Sequence, residues 1–172
     1  MTKLKQVGLI AILLILLCTT AVCAEGLADR LAVGFQITQQ FSGFSVKYEL
    51  SPGQIIQPIF YLSASGAHAG AKTMEGTLAL RLLYDLGIKG SYRQYLGWGV
   101  GLKTVKETEN DVRLRDDTNY GFQGFVGLET ARPGAAVSTS VELSLGIAED
   151  GDSSGGGYKA GFGLALGLHY HF

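Results

Sequence analysis

The chain has 172 residues, with 14 basic and 15 acidic side chains, 25 glycines, three prolines and two cysteines. Its near-neutral charge excludes the basic excess of a nucleic-acid binder. Both cysteines, Cys18 and Cys23, fall in the first 24 residues, which leaves the rest without a thiol for a disulfide framework, a zinc cluster or nucleophilic catalysis.

Lys3 and Lys5 precede an almost unbroken apolar run from Val7 to Leu17, and Val22-Cys23-Ala24 then stands before Glu25. That is the order of a signal peptide over residues 1–24; a retained anchor is the alternative, disfavoured by the shortness of the run. Val22 is too large for the position before a lipidated cysteine, so no lipid anchor is expected on Cys23. The other 148 residues, 25–172, suit a single domain and carry 12 basic against 15 acidic groups. No apolar run after residue 24 is long enough for a transmembrane helix. A membrane-spanning structure would therefore have to be a closed sheet, which alone satisfies the remaining backbone in lipid.

From residue 31 onward the hydrophobic period is two. Leu31, Val33, Phe35 and Ile37 alternate with Ala32, Gly34, Gln36 and Thr38, and Phe44, Val46, Tyr48 and Leu50 with Ser45, Lys47 and Glu49. The stretch from Ile55 to Ala64 is a weaker strand, with Ile56, Phe60 and Leu62 sharing a face with Pro58, where a bulge or strand start is expected. Leu78, Leu80, Leu82 and Tyr84 oppose Thr77, Ala79, Arg81 and Leu83; Leu96, Trp98, Val100 and Leu102 oppose Gly97, Gly99, Gly101 and Lys103. Tyr120, Phe122, Val126 and Leu128 oppose Gly121, Gln123, Gly127 and Glu129, with the pattern blurred at Gly124-Phe125. Val137, Val141, Leu143 and Leu145 oppose Ser138, Ser140, Glu142, Ser144 and Gly146. The last strand is the clearest: Phe162, Leu164, Leu166, Leu168, Tyr170 and Phe172 against Gly161, Gly163, Ala165, Gly167, His169 and His171.

These are eight strands. Their links alternate between compact turns (51–54, 85–91, 132–135) and longer polar loops (65–75, 104–118, 149–159), the first link, 39–43, being short. The fold predicted is an all-β, antiparallel up-and-down transmembrane barrel with turns at one end and loops at the other. The small-residue face is a poor solvent surface but suits a narrow lumen, so the Leu, Val and Phe face should point to lipid. Aromatics fall near strand ends as two girdles: Tyr48, Tyr84, Tyr92, Tyr170 and Phe172 at the turn end, and Phe44, Tyr120 and Phe162 at the loop end. On the inner face lie Lys47, Arg81 and Lys103 with Glu49, Glu129 and Glu142, an expected lumen charge network of balanced sign, since charges in a low-dielectric interior need partners.

The closing Tyr170-His171-Phe172, after strict apolar alternation, resembles the C-terminal signature of bacterial outer-membrane proteins, and the chain from residue 25 resembles the small eight-stranded OmpA/OmpX-type barrels. The resemblance implies residence in the bacterial outer membrane, Tyr170 and Phe172 as an assembly signal read by the barrel-assembly machinery, and contact with outer-membrane lipids and lipopolysaccharide. A monomer is expected, without a C-terminal peptidoglycan-binding domain.

Candidate sites are few. His169 and His171 share one strand face, but no third metal ligand is evident, and hydrogen-bonded lumen filling is the simpler reading. Asp150 to Gly155 has the first half of a calcium loop, yet Gly161 stands where the closing acid is required. Lys106, Glu107, Arg113, Arg115, Asp116 and Asp117 form a charged candidate surface for a host or surface ligand. A lipid A hydrolase would need His68 with Ser63 or Ser65 and Glu75, a poor set. The function expected is a non-enzymatic envelope or surface-interaction role without cofactors. The alternatives are a lipid A-modifying enzyme and a soluble lipocalin-like carrier.

Overall fold

A computed structural model of the chain describes residues 30–66, 71–109, 112–130, 135–150 and 157–172. The expected signal segment, His68 and most of the calcium-like loop lie outside them. Eight strands follow in order: β1 (Leu31–Ile37), β2 (Gly43–Ser51), β3 (Gln54–Gly66), β4 (Ala71–Lys89), β5 (Tyr92–Glu109), β6 (Val112–Thr130), β7 (Val137–Asp150) and β8 (Gly157–His171). Each pairs antiparallel with the next, and β8 returns to β1 through pairs such as Phe35 with Leu168, so the sheet is a closed barrel. Closure removes the free edges that an open sheet would expose.

The period-two pattern sets the register, because a one-residue slip would exchange the two faces. Along β7, Ser138, Ser140, Glu142 and Ser144 are buried while Val137, Val141, Leu143 and Leu145 are exposed. The same division holds in β4, where Ala79, Arg81 and Leu83 are buried between exposed Leu78, Leu80 and Tyr84. Pro58 sits in mid-strand. Bridges between β2 and β3 stop at Ser45–Ile59 and resume at Tyr48–Ile56, and the gap falls at Gln57-Pro58, where proline has no N–H to donate. The turn after β2 has Pro52 followed by Gly53 at φ 79°, a conformation that favours glycine.

Several expected loops are in fact paired strand. β5 and β6 stay paired beyond the expected start of the 104–118 loop, through Lys106–Asp116 to Glu109–Val112, with a register shift between Glu107 and Thr108. β3 and β4 pair out to Gly66–Lys72, and β7 and β8 to Asp150–Gly157. The expected 85–91 turn is also largely strand, interrupted by a bulge between Asp85 and Gly87. Charge density marks exposure to water, and a hairpin standing in water is as charged as a loop, its ladder supported by cross-strand pairs of opposite sign.

The lumen also holds more large apolar groups than its small-residue face suggests. Ile55, Leu83, Tyr95 and Phe125 form one buried cluster, and Phe41, Ile59 and Ala79 another. The blur at Gly124-Phe125 resolves with Phe125 inside, its ring filling space that a side chain on Gly97 would occupy. Phe41 comes from the β1–β2 connection, which folds inward. Thr38 Oγ1 accepts from the Phe41 N–H at 2.7 Å and donates to the Phe41 carbonyl at 2.7 Å. Gly101 and Gly121 leave room for the ring.

Candidate functional site: a buried charge network in the lumen

The inward positions of β2, β4, β6 and β7 bring four of the six expected lumen charges together as two pairs. Lys47 Nζ lies 2.7 Å from Glu129 Oε1, with both side chains buried. The same oxygen accepts from Ser138 Oγ at 2.6 Å, and Ser138 contacts His171 Nε2 at 2.8 Å. Arg81 Nη2 donates to Glu142 Oε2 at 2.6 Å, while Tyr95 OH donates to Glu142 Oε1 at 2.7 Å. The guanidinium also donates to Gln57 Oε1 at 2.9 Å and stacks 3.7 Å from the Phe125 ring centroid. Gly99 and Gly127 make the space: a Cβ on Gly99 would meet Arg81 Cγ at 2.8 Å, and one on Gly127 would meet the Tyr95 ring at 2.5 Å.

The other two charges stand apart. Lys103 pairs with Glu75 at 2.5 Å in a partly exposed site toward the loop end. Glu49 accepts from the Gly53 N–H at 3.3 Å beside the β2–β3 turn. Parity shows which face a charge occupies but not its height along the barrel, and height decides which charges can meet.

His169 Nε2 lies 2.5 Å from Ser45 Oγ and 3.3 Å from Gln57 Nε2. A serine–histidine contact invites a catalytic reading, yet both residues are buried and His169 Nδ1 has no hydrogen-bond partner among the described residues. A triad needs an acid at that nitrogen to orient the ring and an open approach for substrate. No acid stands at that nitrogen among the described residues. Among the described residues, no cluster of three or more His, Cys, Asp or Glu side chains has the proximity to hold a metal.

At the loop end, Lys106 faces Asp116 across β5 and β6 at 3.8 Å, Glu107 is in register with Arg115, and Val105 with Asp117. Arg113 is opposite Thr108. The charged candidates thus line a projecting hairpin that also exposes Val112 and Leu114. At the opposite end Tyr170 and Phe172 are half-exposed, with ring centroids 5.2 Å apart.

No protein-family model matches the chain, and no curated protein matches its sequence. Among solved structures, it is similar to Neisserial surface protein A at 13% identity, over 83% of this chain and 93% of that one, with a TM-score of 0.53. It is also similar to the N-terminal β-barrel domain of Pseudomonas aeruginosa OprF, at 14% identity, 83% and 98% coverage and a TM-score of 0.47. Ail, the attachment invasion locus protein of Yersinia pestis, shows 13% identity, 83% and 97% coverage and a TM-score of 0.46. The likeness to Neisserial surface protein A is one of fold.

Proposed function

We propose that this chain is a non-enzymatic bacterial outer-membrane barrel whose specific contacts are made by its projecting hairpins. The observation that carries the reading is the inversion of its faces. Leucine, valine and aromatic side chains cover the outer wall, while Lys47, Arg81, Glu129 and Glu142 are buried in the lumen. Water would reject that outer wall; lipid accepts it. A lipocalin-like carrier needs the opposite arrangement, with an apolar cavity inside.

The dimensions agree. Outward residues on β7 run from Val137 to Ile147, and at ~3.3 Å per residue with a tilt near ~40° they cover about 25 Å, the height of a lipid belt. The lumen is crossed by the Arg81–Phe125–Tyr95 layer and by the Phe41–Ile59–Ala79 layer, which argues against a general pore. Leu114 stands six residues above Tyr120 on β6, roughly 15 Å beyond the upper girdle along the barrel axis. We infer that the hairpin bearing Lys106, Glu107, Asp116 and Asp117 meets a host or surface ligand, and that the outer wall meets membrane lipids and lipopolysaccharide.

The chain has no cysteine after Cys23, so single cysteines can report topology. On intact cells a membrane-impermeant maleimide should label Thr108→Cys and leave Ser91→Cys unlabelled until the cells are opened. Labelling of Ser91→Cys alone would reverse the orientation and remove the hairpin from the surface.

A further inference from the structure

At its turn end the lumen opens into a cup of about 260 Å³, floored by the Lys47–Glu129 pair. One wall of the cup carries an apolar side chain that strand alternation alone would place elsewhere. The outward positions of β4 run Leu78, Leu80, Leu82, Tyr84 and Leu86, and the same alternation would send Ile88 to lipid. The register shift between Asp85 and Gly87 intervenes, with Gly87 at φ 110° and its N–H donated to Asp85 Oδ1 at 2.6 Å. Ile88 is left opposite Arg93, two residues along β5 from the buried Tyr95, so it faces the mouth of the lumen. Bulges that re-aim a side chain in this way are over-represented beside functional sites. Ile88 and Ile55 together give the cup an apolar side, although Ile88 is 61% exposed.

The charges around the cup are not all matched. Lys47 has Glu129, and Arg93 has Asp85 at 3.1 Å. That leaves Arg30 and Glu49, which stand one position beyond the Leu31–Tyr48 pair on neighbouring strands and both line the cup. Among the described residues no ion pair joins them or takes either elsewhere. Glu49 accepts only the Gly53 N–H, at 3.3 Å. Cross-strand neighbours have β-carbons about 5 Å apart, so a guanidinium and a carboxylate are presented close together beside an apolar wall. A lone anion would meet Glu49 there, and a lone cation would meet Arg30. The arrangement suits a small molecule that carries a carboxylate and an ammonium on adjacent atoms and an apolar body beyond them.

We propose that the cup binds a free α-amino acid with an aliphatic side chain. Its carboxylate lies on Arg30, its ammonium on Glu49 and its side chain against Ile88 and Ile55. Under the outer-membrane reading the cup opens to the periplasm, while the site itself stands on the cup's own residues.

The test titrates leucine into full barrels held in detergent micelles, with the isoleucine methyl groups labelled for magnetic resonance. Saturable shifts are expected at Ile88 and Ile55 but not at Ile147, which is on the outer wall toward the loop end. Leucinamide lacks the carboxylate and N-acetylleucine the ammonium, so each should need about tenfold more to reach half-shift, the loss of one charge-assisted contact. Arg30→Gln should abolish only the preference over leucinamide, and Glu49→Gln only that over N-acetylleucine. An Ile88 methyl that does not move up to about 50 mM leucine would overturn the site. Equal binding of leucine and its two derivatives would overturn the assigned contacts, as would preferences that survive both substitutions. The membrane reading stands or falls separately, on the maleimide labelling.

Discussion

Breaking one half of the Arg81–Glu142 pair should destabilise the barrel far more than removing both halves. Both side chains are at most 1% exposed, and each Glu142 oxygen accepts one short bond, from Arg81 and from Tyr95. Glu142→Leu leaves a buried guanidinium with Gln57 and the Phe125 face but no carboxylate; Arg81→Met leaves a buried carboxylate with Tyr95 alone. Each should cost about 3–5 kcal/mol, the penalty of an uncompensated buried charge. The double variant removes both charges and leaves only the Tyr95 hydroxyl and the Gln57 amide short of partners, a loss of about 1–3 kcal/mol. The single changes thus sum to at least about 6 kcal/mol, and the cycle should return an interaction energy of about 3 kcal/mol or more. Trp98 is the only tryptophan and sits on the outer wall, so its fluorescence can follow reversible urea unfolding from lipid vesicles. Single variants within about 0.5 kcal/mol of the parent, or a double variant equal to their sum, would show that the two buried charges are not coupled.

Phe41→Ala should empty one lumen layer and cost about 3–5 kcal/mol in the same unfolding assay; a value under about 1 kcal/mol would mean the β1–β2 connection does not hold its ring inside. Leu143→Arg, at mid-belt on the outer wall, should cost about 2–4 kcal/mol in vesicles. An unchanged midpoint would indicate that this face meets water. Phe172→Ala should lower the amount of assembled barrel in cells, measured as the folded gel species, while the purified variant still refolds in detergent. Equal assembly would remove Tyr170 and Phe172 from the role of signal.

Much of this architecture was legible because a barrel wall imposes a binary choice at every residue. Alternation in β8, from Phe162 to Phe172, needs nothing beyond the sequence to separate its faces, and it places Arg81 and Glu142 inside by the same rule. Where composition was ambiguous the rule was harder to apply: Phe125 was obscured because Gly124 occupies an outward position. Pairing was less legible than facing. Lys103 meets Glu75 because the two are diagonal neighbours on adjacent strands, Lys103 being in register with Thr77, while Glu49 sits near the opposite end. Height depends on strand tilt and stagger, which no local pattern records. The inward fold of Phe41 was hidden for another reason. A five-residue connection with two Gln and one Ser looks like a solvated loop until Gly101 and Gly121, far along the chain, are seen to leave space for its ring.

In this barrel the apolar wall faces lipid and the charge network lies within. Cell fractionation, followed by electrophoresis of boiled and unboiled detergent extracts, tests it most directly. An outer-membrane band that migrates differently when unboiled is expected, because a closed barrel resists detergent until heated. A soluble periplasmic protein with no heat-dependent shift would contradict it and would mean that the barrel's faces have been assigned the wrong way round.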